Sequence, residues 1–275
     1  MNDQKIQQKP ISSYDPGYFN PLFLAEDRHF WFRSRNQVIA SSLEKIILSL
    51  PSGYRVLEIG CGTGNVLRML EKVCTNGKVV GMDLFVEGLQ FAHTRVSCPL
   101  VQGDLNDPPF QQDFNLIGMF DVLEHIEQDG AVLKKISQML CANGVLVLTV
   151  PAFQSLFSYF DEASHHFRRY EIGQLSATLS NAGYRLEYIS YYMALTFPIV
   201  WLVRKLSPLL NGHKQDKNKP ERDLLVHDMA VDELRIVPVI NELITWLLTR
   251  EAWFISHHIR VPFGTSVIAI ARKIE

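Results

Sequence analysis

The chain has 275 residues, 47% hydrophobic and 20% charged, enough apolar material for one large domain or one domain with an elaboration. A formal net charge of -2 and a pI near 6.5 leave no global field for a nucleic-acid backbone, so no nucleic-acid partner is expected. Cys61, Cys74, Cys98 and Cys141 lack CxxC spacing, which reads as a reduced, cytoplasmic protein rather than a disulfide frame or a zinc site.

The polar start "MNDQKIQQKP" lacks the apolar core of a secretory signal and is expected to be a short tail. Across residues 20–50, Val38, Ile39, Leu43, Ile46, Ile47 and Leu50 recur at helical spacing up to Pro51 and Gly53, so residues 1–50 read as a tail and a helical cap. From residue 55, short apolar runs alternate with helical patterns. Strands are expected at 55–59, 78–82, 99–102, 114–120 and 144–150, and helices at 63–73, 86–95 and 126–140. That alternation predicts an α/β fold with parallel strands covered on both faces.

Beyond Pro151, "FQSLFSYFDEASHHFRRY" is an aromatic and basic loop, followed by a helix at 171–181 and a strand at 184–192. Residues 188–203 carry no charge, but they fall short of the ~20 that span a bilayer and are interrupted by Pro198. They read as a packed or membrane-leaning element. An exposed polar connection at 211–223, a helical pattern at about 230–250 and a strand at 264–273 complete the chain. The expected division is a core of 51–192 and 263–275 with a helical insertion at 193–262. The insertion suits a lid over an apolar or lipid-linked acceptor, and equally a second small core.

The chemistry starts at "RVLEIGCGTGNVLRML" (55–70), where Gly60, Gly62 and Gly64 follow a strand and open a helix. Glycines there let a ligand approach the backbone at the carboxyl end of a sheet. A dinucleotide site wants G-x-G-x-x-G, and Gly64 stands one place too early for a pyrophosphate. Glu58 would repel a phosphate but would accept bonds from an ammonium group. Asp83 in "KVVGMDL", about twenty residues on, suits a carboxylate accepting two ribose hydroxyls; Asp104 in "VQGDL" suits an adenine amino group.

"VLEIGCGTG", "GMDL", "QGDL" and "FDVLEHI", in that order, resemble the class I S-adenosylmethionine-dependent methyltransferases over about residues 53–152. The resemblance implies a Rossmann-like, doubly wound seven-stranded sheet with an antiparallel last strand, and S-adenosylmethionine as cofactor. It implies that Glu58, Gly60, Gly62 and Gly64, with Cys61 beside them, line the methionine and ribose. Asp83 and Leu84 would hold the ribose, Asp104 and Leu105 would flank the adenine, and Phe120 would form the floor below the sulfonium. "EDRHFWFRSRN", "FDEASHHFRRY" and "PFGTSVIAIARK" are similar to a bacterial subgroup of these enzymes. Trp31 with Arg33 or Arg35 is expected to close over the methionine end.

The expected reaction is methyl transfer to a small molecule, oxygen ahead of nitrogen and carbon. Asp121, Glu124 and His125 fall at i, i+3 and i+4 and would share one face if a helix starts there. Histidine ionises near neutral pH, so His125 and His166, with Asp121, are the catalytic candidates. The same Asp-x-x-Glu-His resembles the metal cluster of some O-methyltransferases, with His165 or His166 completing it, although no resident metal is the expected state. Arg168 and Arg169, with Tyr170, suit an anionic acceptor or merely fasten their loop. Two rival readings are a non-catalytic S-adenosylmethionine-binding module and a nicotinamide oxidoreductase.

Overall fold

The computed structural model describes residues 15–210 and 235–274, the side chains of 206–210 excepted; the tail at 1–10 and the connection at 211–223 lie outside them. Seven strands form one sheet: β1 Arg55–Ile59, β2 Lys78–Asp83, β3 Leu100–Gln102, β4 Phe114–Phe120, β5 Leu140–Pro151, β6 Tyr184–Tyr192 and β7 Ser266–Lys273. Their order is β3-β2-β1-β4-β5-β7-β6. The first five are parallel, and β7 runs antiparallel to both β5 and β6, as the sequence predicts. The central strands β1, β4 and β5 are mostly apolar because both their faces are buried, whereas the short edge strand β3 has no buried residue.

Ten helices are described: α1 Phe19–Ala25, α2 Phe30–Ser49, α3 Asn65–Val73, α4 Val86–Arg95, α5 Asp129–Met139, α6 Tyr159–Ala163, α7 Ile172–Asn181, α8 Phe197–Leu210, α9 Pro238–Thr249 and α10 Glu251–Ser256. Alternate side chains of the strands feed two cores. Val56, Val145 and Val147 meet Ile39 and Leu43 of α2, Leu67 of α3, Leu248 of α9 and Ile255 of α10. Leu57, Leu146 and Leu148 meet Leu133 and Ile136 of α5 and Leu175 and Leu179 of α7. Within residues 193–262, α9 and α10 complete a core against α2, while among the described helices there α8 lines the cavity described below.

The chain leaves β1 for β2 and β3 on one side and crosses back to β4 on the other. The carboxyl ends of β1 and β4 thus flank the switch point where open α/β sheets bind ligands. Two turns there are fixed by glycine. Gly60 has φ +70° and lies against Val122, and Gly64 has φ +79° with the Ala92 backbone of α4 3.0 Å from where a Cβ would stand. Gly64 therefore serves helix packing and, unlike Gly60 and Gly62, it is absent from the cavity lining.

Candidate functional site

A cavity of about 1370 Å³ opens over the switch point. Ordinary small-ligand sites occupy ~300–1,000 Å³, so two molecules fit side by side. Glu58, Gly60, Cys61, Gly62, Asp83, Leu84, Asp104, Leu105 and Phe120 line one end, with Trp31 from the N-terminal cap. The Asp83 carboxylate accepts from the Gly62 N–H at 2.7 Å and the Phe85 N–H at 2.8 Å, tying the glycine loop to the end of β2. Burial pushes its pKa up while those N–H groups oppose the shift. Asp104 accepts from the Asn106 N–H at 2.7 Å, an Asx turn that presents Leu105 to the cavity.

Glu58 is only 2% exposed, and its Oε2 has no hydrogen-bond partner. Burial raises its pKa well above the usual carboxylate range, opposed by Arg35 and reinforced by Asp83. An unpaired buried carboxylate oxygen facing a cavity is costly unless a donor, such as a ligand ammonium, reaches it. Burial, helped by the charge of Glu58, likewise pushes the Cys61 thiol well up, so Cys61 is a wall and not a nucleophile.

Arg35, not Arg33, is the cap's cation on the cavity. Arg33 turns outward to Glu242 at 2.5 Å, whereas Arg35 lies against the Trp31 ring at 4.9 Å and donates to Asp121 at 2.9 Å. The cap itself is pinned by Glu26, which accepts from the Thr63 hydroxyl and the Arg95 guanidinium. No sequence signal singled out that link, since Glu26 and Arg95 are 69 residues apart.

At the other end of the cavity the expected helix face does not form. Asp121 has φ +56°, Leu123–His125 is a single 3-10 turn, and α5 starts only at Asp129. Asp121 is drawn to Arg35, and His166 arrives from the following loop instead. One ligand atom each from Glu124, His125 and His166 lies within 4.8 Å of the others. The His125 and His166 rings meet edge to face at 4.6 Å, and His166 Nε2 is 4.0 Å from Glu124 Oε1. His165 is exposed and does not line the cavity.

Asp161, fully buried, organises this end. It takes His166 Nδ1 at 2.9 Å, Arg169 Nε at 2.7 Å and the Ser158 N–H at 2.9 Å. Burial would raise this acid, but the bond to His166 and the Arg169 charge outweigh it and hold its pKa at about 2. The arrangement fixes the His166 tautomer with Nδ1–H toward Asp161 and Nε2 toward the cavity. The Ser158 capping box, Ser-x-x-Asp, was the readable sign that a helix starts at residue 159 with Asp161 turned back to the Ser158 N–H. Glu124, 1% exposed with Oε2 unpaired, is pushed well up by burial and by the charge of Asp121.

Of the two readings open for this loop, an anionic clamp or a fastening of the loop, the partners of Arg168 and Tyr170 fit the second. Arg168 is bound to Asp129 at 2.9 Å and the Glu127 carbonyl at 2.6 Å, and the Tyr170 hydroxyl donates to Asp129 at 2.9 Å. Neither residue lines the cavity; both lock the loop to α5. Arg169 does line it, with its charge met by Asp161.

The sequence profile of the family described as "Methyltransferase domain" matches residues 31–189, more than half of the chain. The chain belongs to the methyltransferase-domain family. The matched span runs from Trp31 into β6 and includes Glu58, Asp83, Glu124, His125 and His166 of the cavity. Ubiquinone biosynthesis O-methyltransferase of Xanthomonas axonopodis pv. citri is 26% identical over 160 residues, covering 51% of this chain and 66% of that protein. Malonyl-[acyl-carrier protein] O-methyltransferase of Legionella pneumophila is 30% identical over 100 residues, 34% of this chain and 35% of that one. The matches span about half to two thirds of the length of the first curated relatives. Among solved structures, phosphoethanolamine N-methyltransferase 2 of Haemonchus contortus in complex with S-adenosyl-L-methionine superposes with a TM-score of 0.54 at 17% identity. That match covers 87% of this chain and 53% of that one, and it shows the fold. The expectation of a methyltransferase thus holds at the level of the family, and the expected sheet at the level of the fold.

Proposed function

We propose that this methyltransferase-domain protein transfers a methyl group from S-adenosylmethionine to a hydroxyl of a small-molecule acceptor. The observation that carries this reading is one cavity with two chemically distinct ends: Glu58 and Asp83 at the glycine loop, and His125, Glu124 and the Asp161-held His166 opposite. The first end fits the cofactor. The unpaired Oε2 of Glu58 suits its ammonium, Asp83 suits the ribose hydroxyls, Asp104 and Leu105 suit the adenine, and Arg35 suits the carboxylate. When bound, the cofactor supplies an electrophilic methyl for in-line displacement.

The chain's own residues supply alignment, desolvation and a proton acceptor. His166 Nε2 takes the proton of an acceptor hydroxyl, and Asp161 stabilises the resulting imidazolium through Nδ1–H. The cap residues Trp31 and Phe19 and Val200 of α8 keep water out. The similarity to O-methyltransferases and the "HFWFRSRN" and "HHFRRY" stretches, which form the cap and the base loop, support this reading. Isothermal calorimetry tests it: S-adenosylmethionine and S-adenosylhomocysteine bind one per chain and NAD does not. Tight NAD binding alone would replace it with the nicotinamide reading.

The convergence of Glu124, His125 and His166 favours a second reading, in which the same three residues hold a divalent cation that polarises the acceptor oxygen. Under this reading activity is lost with EDTA and restored by Mg²⁺ or Mn²⁺. Under the base reading EDTA leaves it unchanged.

A further inference from the structure

The helices of the insertion present to solvent what a folded domain normally buries. Along the consecutive helices α9 and α10, Val239, Leu243, Trp246, Arg250, Trp253 and His257 follow at intervals of four, three, four, three and four residues, the spacing of one face within each helix, and all six are exposed. Val239 is 82% exposed, Leu243 57%, Trp246 54% and Trp253 56%. On α8, Val200 and Arg204, one turn apart, line the cavity, while Ile199, Leu202 and Val203 on the outer side are exposed. Isolated exposed apolar residues are ordinary, but a run of this length marks a docking surface.

Charge decides what docks. The only acids on these three helices are Glu242 and Glu251. Glu242 is bound to Arg33, and Glu251 is turned inward, accepting from the Met193 and Ala194 N–H groups at 2.5 and 2.9 Å. Among the described residues, the exposed charges left on the helices and their flanks are Lys205, Arg235, Arg250 and Arg260. Arg250 lies over the Trp246 ring at 4.5 Å, with its apolar stem along the stripe. Tryptophans between aliphatic side chains, with arginines at the margin and, among the described residues of these helices, no acid without a partner, are the composition of a helix lying in the headgroup region of an anionic bilayer. Among the described residues no helix is long and apolar enough to cross a membrane, so the contact is peripheral.

We propose that the outer face of α8, α9 and α10 docks on an anionic lipid surface. The insertion then has two roles: α9 and α10 close the core against α2 with their inner sides, and the outer sides hold the cavity wall formed by α8 against the bilayer. The proposal stands independently of the methyl-transfer reading.

Co-sedimentation of the full chain with vesicles tests it. Vesicles of phosphatidylcholine with about one third phosphatidylglycerol are expected to pellet the protein, and pure phosphatidylcholine to bind it at least about tenfold more weakly. The triple variant Leu243→Asp, Trp246→Ser, Trp253→Ser is expected to lose binding at least about tenfold with S-adenosylhomocysteine affinity unchanged, because none of the three lines the cavity. Arg250→Glu with Arg260→Glu, which keeps the apolar stripe, is expected to abolish the preference for anionic vesicles. Wild-type protein left in the supernatant, a triple variant that pellets like wild type, or a dimer that this variant dissociates without any vesicle binding would each overturn the proposal. Failure to bind S-adenosylhomocysteine while still pelleting would count against the cofactor reading alone.

Discussion

Replacing Asp83 by alanine is expected to weaken S-adenosylmethionine binding by hundreds of fold in calorimetry. Charge-assisted hydrogen bonds contribute ~1.5–3 kcal/mol each, so a carboxylate accepting two ribose hydroxyls is worth roughly 3–5 kcal/mol. The structure adds a second contribution to the loss. The same carboxylate also holds the Gly62 and Phe85 N–H groups, so the alanine variant releases the glycine loop as well. Asp83→Asn keeps one acceptor oxygen and is expected to fall between the two. A change below about threefold for Asp83→Ala, less than ~0.7 kcal/mol, would place the sugar elsewhere.

The second large effect is expected at His166. His166→Ala should lower kcat by about 10²–10⁴, followed as S-adenosylhomocysteine release, while cofactor affinity stays within about twofold. A joint loss of both would reassign His166 to binding. Asp161→Asn tests the group behind it and carries a stability signature. Asp161 sits at about 2 in the folded chain against an ordinary 3.8, so its carboxylate stabilises the fold above about pH 4, and that contribution is lost as pH falls through about 2. The shift corresponds to about 2 kcal/mol, which predicts a Tm lower by about 4–8 °C for the variant at pH 7 and a difference that narrows between pH 4 and pH 2. An equal Tm gap at pH 7 and pH 3 would contradict this account of Asp161.

Most of the sheet was legible because buried parallel strands are continuous apolar runs and the helices between them end at glycine or proline. The glycine loop, Glu58 and Asp83 were legible because their spacing is fixed locally by one β-α-β passage. The other end was not. Asp121 and His125 belong to a strand-to-turn passage whose backbone goes left-handed, so helical spacing placed Asp121 beside His125 when it pairs instead with Arg35, 86 residues away in sequence. The choice between Arg33 and Arg35 depends on which face of α2 meets the loop, and α9 decides that by offering Glu242 to Arg33. Arg168 and Arg169 looked equivalent in sequence. One pairs with part-buried Asp129 and the other is buried against Asp161, a difference made by the segment between α6 and α7.

A crystal structure with S-adenosylhomocysteine tests the central claim most directly. The account predicts the nucleoside over the carboxyl ends of β1 and β2, its two ribose hydroxyls on Asp83, its amino group toward Glu58 and its sulfur facing the His166 end of the cavity. A ligand whose ribose is held by other residues, or a crevice that stays empty at saturating concentration, would contradict it.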